Sequence, residues 1–364
     1  VALAADHESN LMNLLALTEE LCAVPSVSQA ESALADLVER RVRDRAGALR
    51  IERVRDNVVV RSEFGSERRV VLGGHLDTVP PNDNQAPRRD GDTLHGLGSA
   101  DMKGGLAIML ALAEAVAAEP ETARFDATFV FYVGEEIADR FNGLRDLFAI
   151  RPELVAGDLA ILLEPTEGWI EAGCQGTLTL RGTFRGERAH TARPWMGANA
   201  IHRASDALGR VSATDPGTVD VDGLSYRQSL QAVRIEGGVA NNVVPDTCTL
   251  TVNRRFAPGI PVEQAEAETR SLLVEADEIE VINASAAAPP NLWNPLVAEL
   301  IGTFDLGVRP KLGWTDVARF AAHGTPALNF GPGDPTIAHT AGEFVTRESL
   351  DGCHAVLARF LGVA

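Results

Sequence analysis

The stretch ATFVFYVGEE, residues 127–136, sets the architecture. Its first seven residues are apolar, β-branched or aromatic without regular polar alternation, the pattern of a short strand buried on both faces, and Gly134 closes it. A second run of this kind, LAILL, occupies residues 159–163, and Val58-Val59-Val60 and Val70-Val71-Leu72 are shorter β-branched runs upstream. Between the second and third of these four runs lies an Ala/Leu-rich segment, residues 106–118, that reads as a long helix. Nearer the start, Leu11, Leu14, Leu15, Thr18 and Leu21 recur at helical spacing, as do Ala33, Leu34, Leu37, Val38 and Val42. Strands alternating with helices predict an α/β fold, a mostly parallel mixed sheet sandwiched by helices. In such sheets ligands bind beyond the carboxyl ends of the strands.

From about Gly176 the texture changes. Thr177-Leu178-Thr179-Leu180, Ala232-Val233-Arg234-Ile235 and Thr249-Leu250-Thr251-Val252 alternate as half-buried strands do, with helical patterns at residues 198–211 and 262–274. Ala288-Pro289-Pro290 reads as a linker. Residues 296–304, the strand-like Ala327-Leu328-Asn329-Phe330 and a final helix from Val345 then return to the first texture. The expected organisation is one domain of residues 1–175 and 287–364, interrupted by an α+β domain of residues 176–286. A chain of 364 residues is long enough for two cores.

Composition narrows the class. Against 51 acidic residues stand 33 basic ones, a net charge of −18, which opposes a nucleic-acid or anionic-membrane surface. Cys22, Cys174, Cys248 and Cys353 are scattered without CxxC spacing, as reduced core thiols are. No apolar run approaches the roughly 20 residues of a membrane span, and no basic segment leads into an apolar one at the start. The expectation is a cytoplasmic protein.

The chemistry-bearing residues sit at the ends of the expected strands. His75 and Asp77 follow the run at 70–72, and the pair reads as a polar turn or as an imidazole with an orienting carboxylate. Asp101, in the Gly-rich GLGSADMKGG of residues 96–105, reads as a helix cap or a ligand. This segment lacks GxxxxGK[ST] and a complete GxGxxG, so it is not a nucleotide loop. Glu135 and Glu136 close the 127–133 run, where one carboxylate could hold a metal while the other reaches a water. Glu164 follows residues 159–163, and His339 follows the loop Gly331-Pro332-Gly333-Asp334-Pro335. His75, Asp101, Glu136, Glu164 and His339 would meet at one rim of the sheet. Two imidazoles and three carboxylates exceed what one tetrahedral zinc needs, and suit two ions sharing a carboxylate. Without a thiolate the set is compatible with zinc, cobalt or manganese.

Several blocks in order, GGHLDTVP, GLGSADMKGG, YVGEEIA, LLEPTEGWIEAGCQGTL, RAHTARPWMGANAIH, GGVANNVVPD, NRRFAP, GWTDVARF and LNFGPGDPTIAH, resemble the co-catalytic dizinc aminoacylase and carboxypeptidase family over nearly the whole chain. EAGCQGTL, GWTDVARF and FGPGDP are similar to its desuccinylase branch. The resemblance implies two Zn2+ per subunit, with Co2+ as a substitute: Asp101 bridges them, His75 and Glu164 complete one site, and Glu136 and His339 the other. It implies Glu135 as the base that takes a proton from the attacking water, and Asp77 as the carboxylate supporting His75. It further implies that the inserted domain is a lid that forms a homodimer. His190 would reach the partner's site to stabilise the oxyanion, while Asn242, Arg255 and Thr315 would hold substrate carboxylates. Gln175 stands in a substrate-binding position where many members of the branch carry Arg, and it brings no positive charge. The implied activity is hydrolysis of the amide of N-succinyl-LL-2,6-diaminopimelate, a small-molecule N-acylated amino acid, in lysine biosynthesis. Acetylornithine deacetylation and dipeptide hydrolysis would use the same metal residues and base. A silent metal-binding scaffold would be expected to have lost a ligand or the base, and this chain keeps all six.

Overall fold

The computed structural model describes residues 13–363. Leu11 of the first helical pattern lies outside them. By the clustering of its contacts the chain divides into two units. One contains the chain up to Ala172, Asn291–Arg309 and the chain from Arg319 on; the other contains Gly173–Pro290 and Pro310–Ala318.

The first unit opens with helices α1 (Leu14–Cys22) and α2 (Ser32–Arg45), then strands β1 (Arg50–Val54), β2 (Asn57–Arg61), β3 (Arg69–His75), β4 (Arg88–Asp90) and β5 (Thr93–His95). Helix α3 (Gly104–Ala118), β6 (Asp126–Tyr132), α4 (Gly143–Ile150), β7 (Leu159–Leu162) and β8 (Ile170–Ala172) follow. The second unit supplies β9 (Gly176–Arg185), α5 (Ala200–Ala213), β10 (Thr218–Val221), β11 (Leu224–Arg227), β12 (Ser229–Gly237), β13 (Thr247–Phe256), α6 (Val262–Arg270) and β14 (Glu278–Ser285). The chain ends with α7 (Pro295–Phe304), β15 (Val308–Pro310), α8 (Val317–Ala322), β16 (Ala327–Asn329), β17 (Phe344–Thr346) and α9 (Arg347–Leu361).

The main sheet has the order β1-β2-β6-β3-β7-β16-β8-β15. Its centre is parallel, β6 beside β3, β3 beside β7 and β7 beside β16, and antiparallel strands flank it on both sides. All seven residues of β6 are buried, as its unbroken apolar sequence requires of a central strand. Helix α3 is apolar nearly all round and packs on β3 and against α1 and α9, the position of a buried helix. Gly105 permits this approach: a Cβ there would lie 2.4 Å from the Leu163 carbonyl oxygen, at the end of β7.

Two expectations shift. The last helix begins at Arg347, because Val345 belongs to β17, which pairs antiparallel with β5 in a small sheet β17-β5-β4. The segment Pro310–Ala318, expected in the first domain, groups with the second unit. It is fastened there by Gln175 N–H donating to Lys311 O (3.2 Å) and by the Trp314 indole donating to Ala286 O (3.1 Å).

The second unit is a four-stranded antiparallel sheet, β12-β13-β9-β14. Alternate residues of β9 and β13, among them Leu178, Leu180, Leu250 and Val252, bury against Ala200, Ala204, Ala207 and Val211 of α5. The opposite face of β13 carries Asn253 and Arg255. Strand β12 forms one edge, with Val233 and Ile235 exposed. Among the described residues no helix is long and apolar enough to cross a membrane.

Candidate active site

The parallel centre of the sheet brings its carboxyl ends to one rim. His75 is the last residue of β3 and is in register with Tyr132 of β6. Gly73 is in register with Leu162 of β7, so Glu164 lies two residues past that pairing, at the level of His75. His339 comes from the loop that follows β16, and Asp101 from the turn before α3.

Asp101 sits between two imidazoles, its Oδ1 3.1 Å from His75 Nε2 and its Oδ2 3.3 Å from His339 Nε2. His339 Nε2 is also 2.8 Å from Glu136 Oε1. Ligand atoms of His75, Asp101 and Glu136 lie within 4.8 Å of one another. Glu164 is 6% exposed at the adjacent strand end. Burial pulls the His75 imidazole down, but hydrogen bonding to Asp101 and Asp77 outweighs it and holds the group well above its ordinary value. Asp101 and Glu136 raise His339 to about 10. Burial alone would raise Asp101, yet His339 and His75 hold its carboxyl well below the usual range. Facing imidazole nitrogens with a carboxylate offering one oxygen to each, and no thiolate among them, is a donor set whose chemistry fits a divalent cation.

Asp77 has a larger part than its spacing from His75 implies. The His75 Nδ1 lies 2.9 Å from Asp77 O and 3.5 Å from Asp77 Oδ1. A proton on Nδ1 given to that carbonyl leaves Nε2 with its lone pair for the site. The Asp77 carboxylate, wholly buried, accepts from Glu135 N–H (3.0 Å), Glu136 N–H (3.1 Å) and the Ser28 hydroxyl (2.7 Å). Strand β6 ends at Tyr132, so the two glutamates lie in a turn and not in extended strand. Gly134 makes that turn at φ 71°, where a Cβ would stand 2.3 Å from Phe141 O.

Two residues absent from the sequence reading complete the scaffold. Glu343, 1% exposed, accepts at Oε1 from Ala100 N–H (2.9 Å) and Asp101 N–H (3.1 Å), and burial pushes its carboxyl up to about 7. Pairing of β17 with β5 fixes it beside the Asp101 loop. Lys103 buries its ammonium and donates to Leu21 O (3.2 Å) and Val24 O (2.8 Å) at the carboxyl end of α1, where a cation is favoured. Glu343 follows no motif, and Lys103, though inside GLGSADMKGG, is not marked there as a residue that must be buried.

The remaining expected residues lie in the second unit. His190 is exposed and bridges to Val243, which brings Asn242 next to it; Thr191 N–H donates to Asn242 O (3.1 Å). Ala192 N–H donates to His190 Nδ1 (3.0 Å), an arrangement that leaves Nε2 as the ring's donor nitrogen. Thr315 is buried, and its carbonyl accepts from Cys174 Sγ (3.7 Å). Of the neighbours in NRRF, Arg254 turns to Glu268 of α6 (2.5 Å), leaving Arg255 on the open face of the sheet. Gln175 is buried and its Nε2 donates to Arg227 O (2.7 Å).

Residues 71–362 match the profile of Peptidase family M20/M25/M40. A protein of Mycobacterium tuberculosis named putative succinyl-diaminopimelate desuccinylase is 45% identical, over 95% of this chain and 97% of its own length. The succinyl-diaminopimelate desuccinylase of Corynebacterium glutamicum is 41% identical over 95% of both. Among solved structures, a Staphylococcus aureus tripeptidase superposes with a TM-score of 0.80 at 20% identity, covering 97% of this chain and 98% of its own. A Bacillus subtilis protein described as a dinuclear metal binding peptidase from the M20 family gives 0.71 at 14% identity, over 96% of each. These last two establish likeness of fold.

Proposed function

The chain belongs to Peptidase family M20/M25/M40 and is a metal-dependent hydrolase, and on that premise we propose that the bond it cleaves is the amide of N-succinyl-LL-2,6-diaminopimelate, giving succinate and LL-2,6-diaminopimelate. The observation that carries this reading is similarity over 95% of the chain to two proteins named for that activity, in a chain that brings His75, Asp101, Glu136 and His339 together.

The ions assigned are two Zn2+ per subunit, with Co2+ as a substitute, because imidazole and carboxylate donors suit both. Asp101 would be shared between them, His75 and Glu164 would hold one, and Glu136 and His339 the other. Bound there, the ions would polarise the amide carbonyl and lower the pKa of water. The chain's own groups do the rest. Glu135 takes a proton from the attacking water and passes it to the departing amine, a role for a carboxylate near the ligands but not among them. Asp77 sets where Glu135 and Glu136 stand, since it holds both of their amides. His190 donates from Nε2 to the oxyanion of the tetrahedral intermediate. Asn242, Arg255 and Thr315 hold substrate carboxylates, Arg255 through a bidentate guanidinium.

The second unit acts as lid and as the surface of a homodimer, in which His190 serves the partner's site. Support for the dimer comes from Val233 and Ile235 on the exposed edge strand β12, together with exposed Ile201 and Val239. Four buried cysteines, none in a disulfide, are what a reducing cytoplasm favours.

The test is a comparison of kcat/KM on zinc-loaded protein for N-succinyl-LL-2,6-diaminopimelate and N-acetylornithine. A preference of about tenfold or more for the succinylated substrate is expected. Equal or greater turnover of acetylornithine overturns the substrate assignment and leaves the hydrolytic site untouched.

A further inference from the structure

We propose that Arg227 is a specificity-determining residue: with Arg255 it forms an anion subsite in the second unit that takes the carboxylate of the substrate's succinyl arm. The inference rests on the substrate reading above.

The second unit contains a pocket of ≈ 510 Å3 whose wall includes Gln175, Asp215, Arg227, Ser229, Gln231 and Arg255. That volume suits part of a small ligand. The register explains the company. Ser229 of β12 pairs with Arg255 of β13, Phe256 pairs with Gly176 of β9, and Arg227 precedes Ser229 by two residues. Gln175, one residue before β9, is thereby beside the β13 end that carries Arg255.

Three features of the wall point to an anionic ligand. Among the described residues, neither the Arg227 nor the Arg255 guanidinium has a hydrogen-bond or ion-pair partner. Arg255 is half-buried, and desolvation pulls its pKa down with no carboxylate opposing it. A guanidinium withdrawn from water without a counter-charge is costly, and a bound carboxylate removes that cost. The one acid among the described residues of the wall, Asp215, is exposed and its Oδ1 accepts from Gly217 N–H (2.9 Å).

Gln175 explains why Arg227 is held in place. Its side chain is 1% exposed, Nε2 donates to the Arg227 carbonyl (2.7 Å), and Oε1 is buried with no hydrogen-bond partner among the described residues. A neutral amide therefore anchors the backbone of the residue that brings the charge, and its oxygen remains as an acceptor for a ligand N–H. The substrate offers a matching arm. The succinyl carboxylate stands at a chain end with no nitrogen on its carbon, whereas one diaminopimelate carboxylate lies beside an ammonium that two arginines would repel. The arm's amide supplies an N–H on the same ligand.

The experiment measures steady-state kinetics of the zinc-loaded full chain and its Arg227→Gln and Arg227→Lys variants, with N-succinyl- and N-acetyl-diaminopimelate. Losing one charge-assisted hydrogen bond in Arg227→Gln should raise KM for the succinylated substrate by about 10–100-fold, with kcat falling far less. The preference for succinyl over acetyl should drop by the same factor, and Arg227→Lys should recover part of it. An unchanged KM, or a rise shared equally by both substrates, overturns the proposal. Inhibition by free succinate, compared between wild type and Arg227→Gln, reads the subsite independently of turnover. If the wild type ignores the succinylated substrate, the functional reading fails. Succinate inhibition equal in the two proteins then overturns the subsite as well, while weaker inhibition of the variant upholds it.

Discussion

Asp77 and Glu343 are buried carboxylates that do their work on backbone amides. Asp77 takes the amides of Glu135 and Glu136, and Glu343 those of Ala100 and Asp101, so each fixes a turn that bears a carboxylate of the candidate site. Removing the Glu343 carboxylate frees two amides and loosens the loop bearing Asp101. Groups that orient ligands typically contribute about 10–100-fold to metal affinity. Glu343→Ala should therefore weaken Zn2+ binding by about that factor in equilibrium dialysis, and Glu343→Gln, which keeps an acceptor oxygen, should recover most of it. Wild-type affinity in Glu343→Ala would show that the loop holds itself. The sequence marks His75, Asp101, Glu136 and His339 because each terminates an apolar run or sits in a Gly-rich loop. It does not mark Glu343, whose partner Asp101 N is 242 residues away and whose value depends on burial. Asp77 is legible as a companion of His75, but its grip on the glutamates is not, because β6 stops at Tyr132 and only the Gly134 turn brings their amides back to it.

At the scale of elements, the parallel centre of the sheet is legible because β6 and β7 are continuous apolar runs, which a strand exposed on one face would not tolerate. The small strands escape. Val345 looks like the start of a helix by periodicity, but three residues of β17 pair with β5 and place Glu343. The start of β6 contributes a pH-dependent fastening. Asp126 is buried and accepts from the Ser62 hydroxyl (2.7 Å), Phe64 N–H (2.8 Å) and Gly65 N–H (3.2 Å). Burial alone would raise its carboxyl, but these bonds and Arg69 outweigh it and hold the group below its ordinary value. A depressed acid stabilises the fold above its unfolded pKa and loses that contribution as pH falls through the folded value. Asp126→Asn should therefore cost about 1–3 kcal/mol in urea unfolding at neutral pH, and the gap to wild type should narrow below about pH 4. A gap that stays constant with pH would mean that the charge contributes nothing.

At the scale of the molecule, a sheet-building chain interrupted by an antiparallel insert accounts for both textures of the sequence. Pro310–Ala318 shows the limit of texture: too short for a periodicity of its own, it joins the second unit through its contacts there, among them the bonds to Cys174, Gln175 and Ala286. The excess of acidic residues gives a net charge of −18, yet Arg227 and Arg255 of the second unit both line one pocket, the anion subsite proposed above. Net charge does not describe a local site. The proposed function rests on Glu135 being a base beside the metal-holding residues and not one of them. The most direct measurement is Glu135→Gln titrated with Zn2+ and assayed on the succinylated substrate. Glu135→Gln should bind two ions per chain as the wild type does, with kcat lower by about 10²–10⁴-fold. Wild-type kcat in Glu135→Gln, or loss of an ion together with activity, would contradict that role for Glu135.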